Sequence, residues 1–318
     1  GGRSDNGVGF LIEAHQWQSH GFQTIDRSGA DTGLDVTDFT AKLSYAPVGS
    51  PHAIELKLQL ADQDSNQSYL GLSDADFGND ALRRYGLSEL DNIATKHEQA
   101  ILRYSFDVTA NLSVTATAYN NTHQRNWFKT EGIDLDGSVN ADSFSGSSWA
   151  SVVDAVNLGK GLGNYTHEEL QGILDGNIDT AAGSVQLRSN NREYYSRGLQ
   201  FGANWDGSFG GALHSVSMGL RFHEDEEDRF QRNDTYSQVA GKLGLDSLGT
   251  EGNAGNQVQS AEALAFYIRD EISFGDWTLS PGIRFEDIDQ DRVRYKNGAA
   301  RNFRDGRQNT AQVWLPGI

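Results

Sequence analysis

Arginine is the side chain whose placement suggests chemistry in this acidic chain. The 318 residues contain 44 Asp and Glu against 26 Lys and Arg, giving a formal charge of -18. Arg83 and Arg84 are adjacent in a long polar segment, and Arg221 lies in a segment with a strand pattern. A guanidinium group presents a planar fork that can bind a carboxylate through two hydrogen bonds. We therefore predict that Arg83, Arg84 and Arg221 bind an anionic ligand.

Other kinds of chemistry find little support in the sequence. The absence of Cys excludes disulfides, thiolate metal sites and Cys nucleophiles. The eight His show no zinc-ligand spacing, and no G-x-S-x-G elbow marks a nucleophile. The run Glu224–Asp228 lacks the spaced ligands of a calcium loop, so we interpret it as a solvated acidic loop. We expect no catalytic residue, metal site or cofactor, and the acidic balance argues against nucleic acid.

The elements that must position the arginines are β-strands, because apolar and polar residues alternate with period two. The hairpin Val258–Asp287, with its turn at Gly275-Asp276, shows two such runs. Seven other segments repeat the pattern: Gly7–Gln18, Asp38–Ala46, His52–Ala61, His97–Phe106, Leu112–Asn120, Tyr194–Trp205 and His214–His223. The sequence therefore predicts nine strands, and a tenth begins in the final residues AQVWLPGI.

The connections between these strands alternate between short and long. Short turns are predicted near 47–51, 107–111, 206–211 and 275–276, and long loops near 19–35, 62–96, 125–192, 224–257 and 288–310. The third long loop contains two predicted helices, Ser148–Leu158 and Thr166–Leu174, and the second begins with a capping box. Strands of about ten residues are long enough to cross a bilayer when tilted. This pattern is typical of an antiparallel transmembrane β-barrel with short periplasmic turns and long extracellular loops.

The alternation also predicts which residues face the inside of the barrel. The basic residues with inward parity are Arg103, Arg221, Arg284, Lys42 and Lys57. An alternative to ligand binding is that they pair with inward carboxylates, namely Asp38, Glu55 and Glu286, and only stabilise a polar wall. Two residues do not follow the strand pattern. Pro281 predicts a bulge or an unpaired position. The parity of Asp270 directs its carboxylate toward lipid unless it lies at the rim or the register slips there.

Several segments resemble TonB-dependent outer-membrane receptors, and more closely the ferric dicitrate and siderophore transporters among them. These segments are GFLIEAHQWQSHGFQTIDRSG, IELKLQLADQDSNQSYLGLSDADF, RRYGLSELD, YYSRGLQ, ALAFYIRDEISFGDWTLSPGIRFED and WLPGI. The resemblance implies a monomeric 22-stranded barrel in the Gram-negative outer membrane, surrounded by its lipid. It also implies import of a ferric chelate, ferric citrate or a siderophore, with energy supplied by the TonB complex through an N-terminal plug domain.

Compared with that family pattern, we expect residues 1–318 to form part of the β-barrel domain, with the plug domain and the C-terminal strands absent. Two other functions remain as alternatives. A passive porin-like channel would have no plug domain or TonB-contacting motif encoded upstream. A surface β-sheet binding protein would not need detergent for extraction from outer membranes.

Overall fold

Consecutive long strands of the chain pair edge to edge in an antiparallel meander. We analysed a computed structural model, which describes residues 1–137, 142 and 146–317. The strands in chain order are β1 (Gly2–Arg3), β2 (Val8–Ser19), β3 (Thr24–Ile25), β4 (Leu34–Tyr45), β5 (His52–Ser65), β6 (Arg83–Arg84), β7 (Asn92–Thr109), β8 (Leu112–Ile133), β9 (Ser147–Ser148), β10 (Val185–Phe209), β11 (Ala212–Val239), β12 (Lys242–Ser247), β13 (Gly255–Phe274), β14 (Trp277–Leu279), β15 (Gly282–Tyr295) and β16 (Phe303–Gly317).

The helices all lie in connections between strands. They are α1 (Asp74–Asn79), a 3-10 turn at Gly86–Ser88, α2 (Trp149–Asn157) and α3 (His167–Leu174). The two helices predicted from sequence are confirmed, and the Thr166–Glu169 capping box makes both of its hydrogen bonds. None of the helices in the described residues is long and apolar enough to cross a membrane.

The main sheet has fourteen strands in the order β1-β2-β4-β5-β7-β8-β10-β11-β13-β15-β16, with β9, β12 and β14 paired at its margins. Neighbouring long strands are antiparallel throughout. The predicted antiparallel meander is therefore confirmed, including the hairpin at Gly275-Asp276 and the strand begun by the final residues.

The strands on either side of the third and fourth long loops are much longer than predicted. β8 has 22 residues, β10 has 25 and β11 has 28. The predictions that 125–192, 224–257 and 288–310 are loops were wrong at their margins, and in the last of these β15 runs to Tyr295 and β16 begins at Phe303. Glu224–Asp228 lies within β11. Alternating hydrophobicity marks only the part of a strand whose one face meets lipid. Beyond it both faces are polar, so the ladder continues without a periodic signal.

The apolar face of the sheet is its more exposed face. On β5, Leu56, Leu58 and Leu60 are 37%, 45% and 52% exposed, whereas Lys57 and Gln59 between them are half-buried. A water-soluble sheet buries its apolar residues, so this inverted arrangement is typical of a barrel wall in lipid. The opposite, polar face borders a concave space of about 1020 Å³ that residues of seven long strands line.

Asp270 and Pro281 lie next to each other near the short-turn end of the sheet. The β11–β13 register shows no slip, so Asp270 keeps the outward parity and lies opposite Val216. Its carboxylate bonds His214 Nδ1 at 2.6 Å. The pairing of β13 has the same register before and after Pro281, so the position is unpaired rather than bulged. The amide of Asp270 still donates to the Pro281 carbonyl at 2.9 Å.

The predicted separation of short turns and long loops is confirmed. At the turn end, the Asp107 amide bonds Pro51 O and the Asp206 amide bonds Asn111 O. At the other end, the loops pack into a cap around a buried apolar core formed by Tyr85, Leu87, Ile133, Leu135, Trp149, Val152, Ala155, Val156, Leu170, Ile173, Leu174, Val185, Leu187 and Tyr236. Most of this core comes from α2, α3 and the strand ends beside them.

Gly219 allows the ring of Tyr267 on the neighbouring strand to lie against the inward face of β11. The two residues are direct cross-strand partners. A Cβ on Gly219 would overlap this ring, whose next nearest atoms would be 2.9 and 3.0 Å away. We expect Gly219→Ala to lower the free energy of unfolding by about 1–3 kcal/mol, as overpacking does. Urea unfolding of the protein in lipid vesicles, followed by tryptophan fluorescence, measures this change.

Gly244→Ala is the matched control, because a Cβ there meets no atom within 4 Å. Tyr267→Ala in the Gly219→Ala background should recover part of the loss, since it removes the ring that clashes. Equal unfolding free energies for the two single glycine variants would contradict the prediction.

Candidate functional site

Three arginines lie side by side on the inward face, where the long strands rise beyond the apolar band. Arg125 on β8 is the direct cross-strand partner of Arg192 on β10, which is in turn the partner of Arg229 on β11. The registers run without a shift from the apolar band to this row, so all three share the parity of the polar face. We call these three residues the arginine row. Like charges in directly opposite positions repel each other and destabilise a sheet.

One carboxylate offsets part of this repulsion. Glu227 Oε1 lies 2.7 Å from Arg192 Nη1 and 2.9 Å from Arg229 Nε. Burial alone would raise the pKa of Glu227, but the two guanidinium groups outweigh it and lower that pKa. Arg125 has no ion pair within the described part of the chain, and its Nε is buried without a hydrogen-bond partner. The row therefore carries an excess of positive charge in a strongly acidic protein.

Arg221 lies deeper along the same face of β11, as its parity predicts. Its Nε donates to the Tyr119 hydroxyl at 3.1 Å, and its Nη2 lies 3.0 Å from His223 Nδ1. Because a guanidinium can only donate, this contact requires an unprotonated Nδ1. The proton of a neutral His223 is then on Nε2, which lies 3.0 Å from the Asp225 carboxylate. Arg221 thus faces the lumen within a polar network. The carboxylate of this network, from Asp225, contacts His223 rather than Arg221.

Arg83 holds the cap together. Its guanidinium lies 2.7–2.8 Å from the carboxylates of Asp26, Asp76 and Asp175, which come from three different connections. Burial alone would lower the pKa of Arg83, but these three carboxylates raise it. The side chain is 21% exposed. Arg83 therefore has a structural role, as the link between loops that are far apart in sequence.

Arg84 is 5% exposed and is bonded mainly to backbone carbonyls. Its Nη1 donates to Asn66 O at 2.6 Å and its Nη2 to Ser88 O at 3.0 Å. Burial lowers the pKa of Arg84, against the attraction of Asp91. The contacts of Arg83 and Arg84 include no residue that Arg221 contacts. The structure places them in the cap, and their binding of a ligand stays a prediction.

The alternative role of the inward charges as wall-stabilising pairs accounts for some of them. Arg284 Nη2 lies 2.6 Å from Glu286 on the same strand. Lys57 pairs with no carboxylate in the described part of the chain and instead donates to the amide oxygens of Gln59 and Gln99 at 2.9 and 2.8 Å. These residues are satisfied within the wall, which sets them apart from Arg125.

Sequence reasoning missed the arginine row because it assigned 125–192 and 224–257 to loops. A signal was present. Arg125 continues the inward parity of Tyr119, and Arg192 and Arg229 keep the parity of Gly198 and Arg221 on their own strands. Extending each strand in register past its last apolar residue would have brought the three together.

Comparison with known proteins identifies the family. The family described as TonB dependent receptor-like, beta-barrel matches residues 16–318. The chain belongs to this family. TonB-dependent receptors are transporters rather than enzymes, and their barrels reside in the outer membrane of Gram-negative bacteria.

Solved structures of a ferric citrate transporter and of siderophore receptors share the fold. The ferric citrate transporter FecA, in its unliganded form, matches at a TM-score of 0.62 and 19% identity, with 99% of this chain and 36% of FecA covered. The siderophore receptor PiuA from Acinetobacter baumannii gives 0.67 and 12%, covering 98% and 42%. The ferric yersiniabactin receptor FyuA from Yersinia pestis gives 0.62 and 11%, covering 99% and 39%. The chain thus spans less than half the length of these receptors.

The structural role of Arg83 can be tested by removing its guanidinium. We expect Arg83→Ala to destabilise the cap by about 3 kcal/mol, because three part-buried carboxylates lose their shared cation. Hydrogen exchange should become faster in the segments that contain α1 and α3. The β-sheet below should keep its protection, since its backbone ladder does not involve Arg83.

Arg269→Ala is the control, since its ion pair with Glu271 is 57% and 49% exposed and should contribute little. Unchanged exchange in the cap of the Arg83→Ala variant would show that Arg83 does not hold the loops together.

Proposed function

We propose that this chain is part of the barrel of a receptor that binds an anionic ferric chelate and imports it with energy supplied by the TonB complex. The observation that carries the proposal is the arginine row, in which one carboxylate faces three guanidinium groups. The row lies on the inward face. Arg125 and Arg192 are two residues along their strands from His123 and Tyr194, which line the concave space. A ligand entering between the extracellular loops would meet the row there.

The electrostatics of the row favour an anion. In a chain with a formal charge of -18, three cations in adjacent cross-strand positions are a local exception. Glu227 offsets only part of their mutual repulsion, and a negative group lying across the row would offset the rest. Each charge-assisted hydrogen bond to such a group contributes about 1.5–3 kcal/mol. Guanidinium forks match carboxylates in particular, which favours a chelate with carboxylate groups.

The solved relatives support the broad class of ligand only. FecA is described as a ferric citrate transporter, PiuA as a siderophore receptor and FyuA as a ferric yersiniabactin receptor. At 19% identity or less, the likeness concerns the fold. The choice of an anionic chelate therefore depends on the residues of this chain.

The two groups of arginines have different places in this proposal. The arginine row holds the ligand first, and Arg221 provides a cation further along the same wall. Arg83 and Arg84 act on the ligand indirectly by holding the cap above the row. The plug domain through which a TonB complex would act is proposed for the whole receptor, of which residues 1–318 form part of the barrel.

Single substitutions in the row test the proposal in the full-length receptor. We expect Arg125→Ala and Arg192→Ala each to weaken binding of a ferric carboxylate chelate by roughly tenfold to a hundredfold. The Lys variants should recover only part of the affinity, because an ammonium group lacks the bidentate geometry. Equilibrium binding of ferric citrate, measured at fixed salt, gives these ratios.

Lys57→Ala serves as the control, because Lys57 is satisfied by Gln59 and Gln99 within the wall. Uptake of the radiolabelled chelate with and without a functional TonB complex separates active import from a passive channel. Wild-type affinity in both row variants would place the anion site elsewhere in the receptor.

A further inference from the structure

Two histidines lie opposite each other on the inward face, two residues along the strands from the arginine row. His97 on β7 and His123 on β8 are direct cross-strand partners, with ring centroids 6.0 Å apart and ring planes at 56°. Both line the concave space and are half-buried. Neither ring makes a hydrogen bond within the described residues, and their nearest aromatic neighbour is Tyr194, 5.8 Å from His123. Both imidazoles line the concave space, so their nitrogens are free to bind a ligand there.

The separation of the rings suits a shared metal ion. An imidazole nitrogen binds a first-row divalent metal at about 2.0–2.1 Å, which puts the ring centroid about 3.2 Å from the metal. Two rings on one ion can therefore have centroids up to roughly 6.4 Å apart. The observed 6.0 Å lies within this limit. The backbone fixes the two strands side by side, so only side-chain rotation is needed to direct both rings at one ion.

We propose that His97 and His123 form a binding site for a divalent first-row transition-metal ion, such as Cu²⁺, Ni²⁺ or Zn²⁺, on the lumen wall. Imidazole is a preferred ligand for these ions, and Cu²⁺ binds most tightly among them. No third His, Cys, Asp or Glu completes the set within the part of the chain that the structure describes. The remaining coordination positions stay open to water or to donor atoms of a ligand in the concave space.

The electrostatic surroundings of His123 favour its neutral form. Burial, the neighbouring His97 and the nearby Arg125 all lower the pKa of His123. A lowered pKa leaves the ring neutral over a wider range, and a neutral imidazole is the metal-binding form.

This inference does not depend on chelate import, because the metal ion alone is the ligand. The test uses the full-length receptor in detergent micelles, titrated with Cu²⁺ and followed by calorimetry and electron paramagnetic resonance. We expect one Cu²⁺ whose spectrum shows coupling to two imidazole nitrogens. His97→Asn and His123→Asn should each weaken binding at least tenfold and leave coupling to one imidazole.

Two controls isolate the pair. His20→Asn removes an imidazole that is 99% exposed in a loop, and it should leave affinity and spectrum unchanged. Arg192→Ala should also leave Cu²⁺ binding intact, although it weakens the proposed chelate site. If the Arg192→Ala variant binds ferric chelate normally while the His variants lose Cu²⁺, the function proposed above fails and the metal site stands.

A measurement on the wild-type receptor covers the case in which a His variant does not fold. Bound Zn²⁺ should protect His97 and His123, but not His20, from modification by diethyl pyrocarbonate, as seen by peptide mass spectrometry. Equal modification of His97 and His123 with and without Zn²⁺ would overturn the proposal. So would unchanged Cu²⁺ affinity in both His variants.

Discussion

The structure depends on one constraint, which is that every backbone amide and carbonyl in a bilayer needs a hydrogen-bond partner within the protein. An antiparallel meander meets this need between neighbouring strands, and it forces side chains to alternate between lipid and lumen. Charged residues in the spanning region are then favoured in the inward set, and Asp270 near the turn end, which bonds His214, is an exception. The meander also places successive connections at opposite ends of the sheet.

The arginine row is positioned by the apolar residues further along the same strands, in the membrane. A slip of one residue in any pairing would move a whole lipid-facing set into the lumen, so the register is strongly specified there. The ladder continues unbroken from Leu199↔Phe222 up to Arg192↔Arg229. Two like charges therefore stay opposite each other, although their repulsion favours another arrangement. Lipid burial several residues away holds the repulsive row together, which is how a fold can maintain a site for an anion.

The sequence was sufficient to predict the features that have a local signal. Alternation revealed the membrane part of the long strands, and the Thr166–Glu169 box located the start of α3. Two kinds of feature lack such a signal. A strand with two polar faces has no period to detect, and this concealed the upper parts of β8, β10 and β11. Contacts between distant loops are not encoded locally either. Arg83 meets Asp26 and Asp175 across 57 and 92 residues, and neither its charge nor its loop position in the sequence indicated these loop partners.

The molecule is stabilised in two different ways, and the boundary between them lies at the candidate site. In the wall, stability comes from the ladder and from lipid around an exposed apolar face, because little apolar surface is buried there. In the cap, α2 and α3 bury apolar residues such as Trp149, Val152 and Leu170 against one another, as a water-soluble domain does. The cap can therefore loosen without breaking the ladder, since cooperative units of different stability can open separately. The arginine row belongs to the ladder and Arg83 belongs to the cap. Loosening of the cap would consequently leave the spacing of the three guanidinium groups intact.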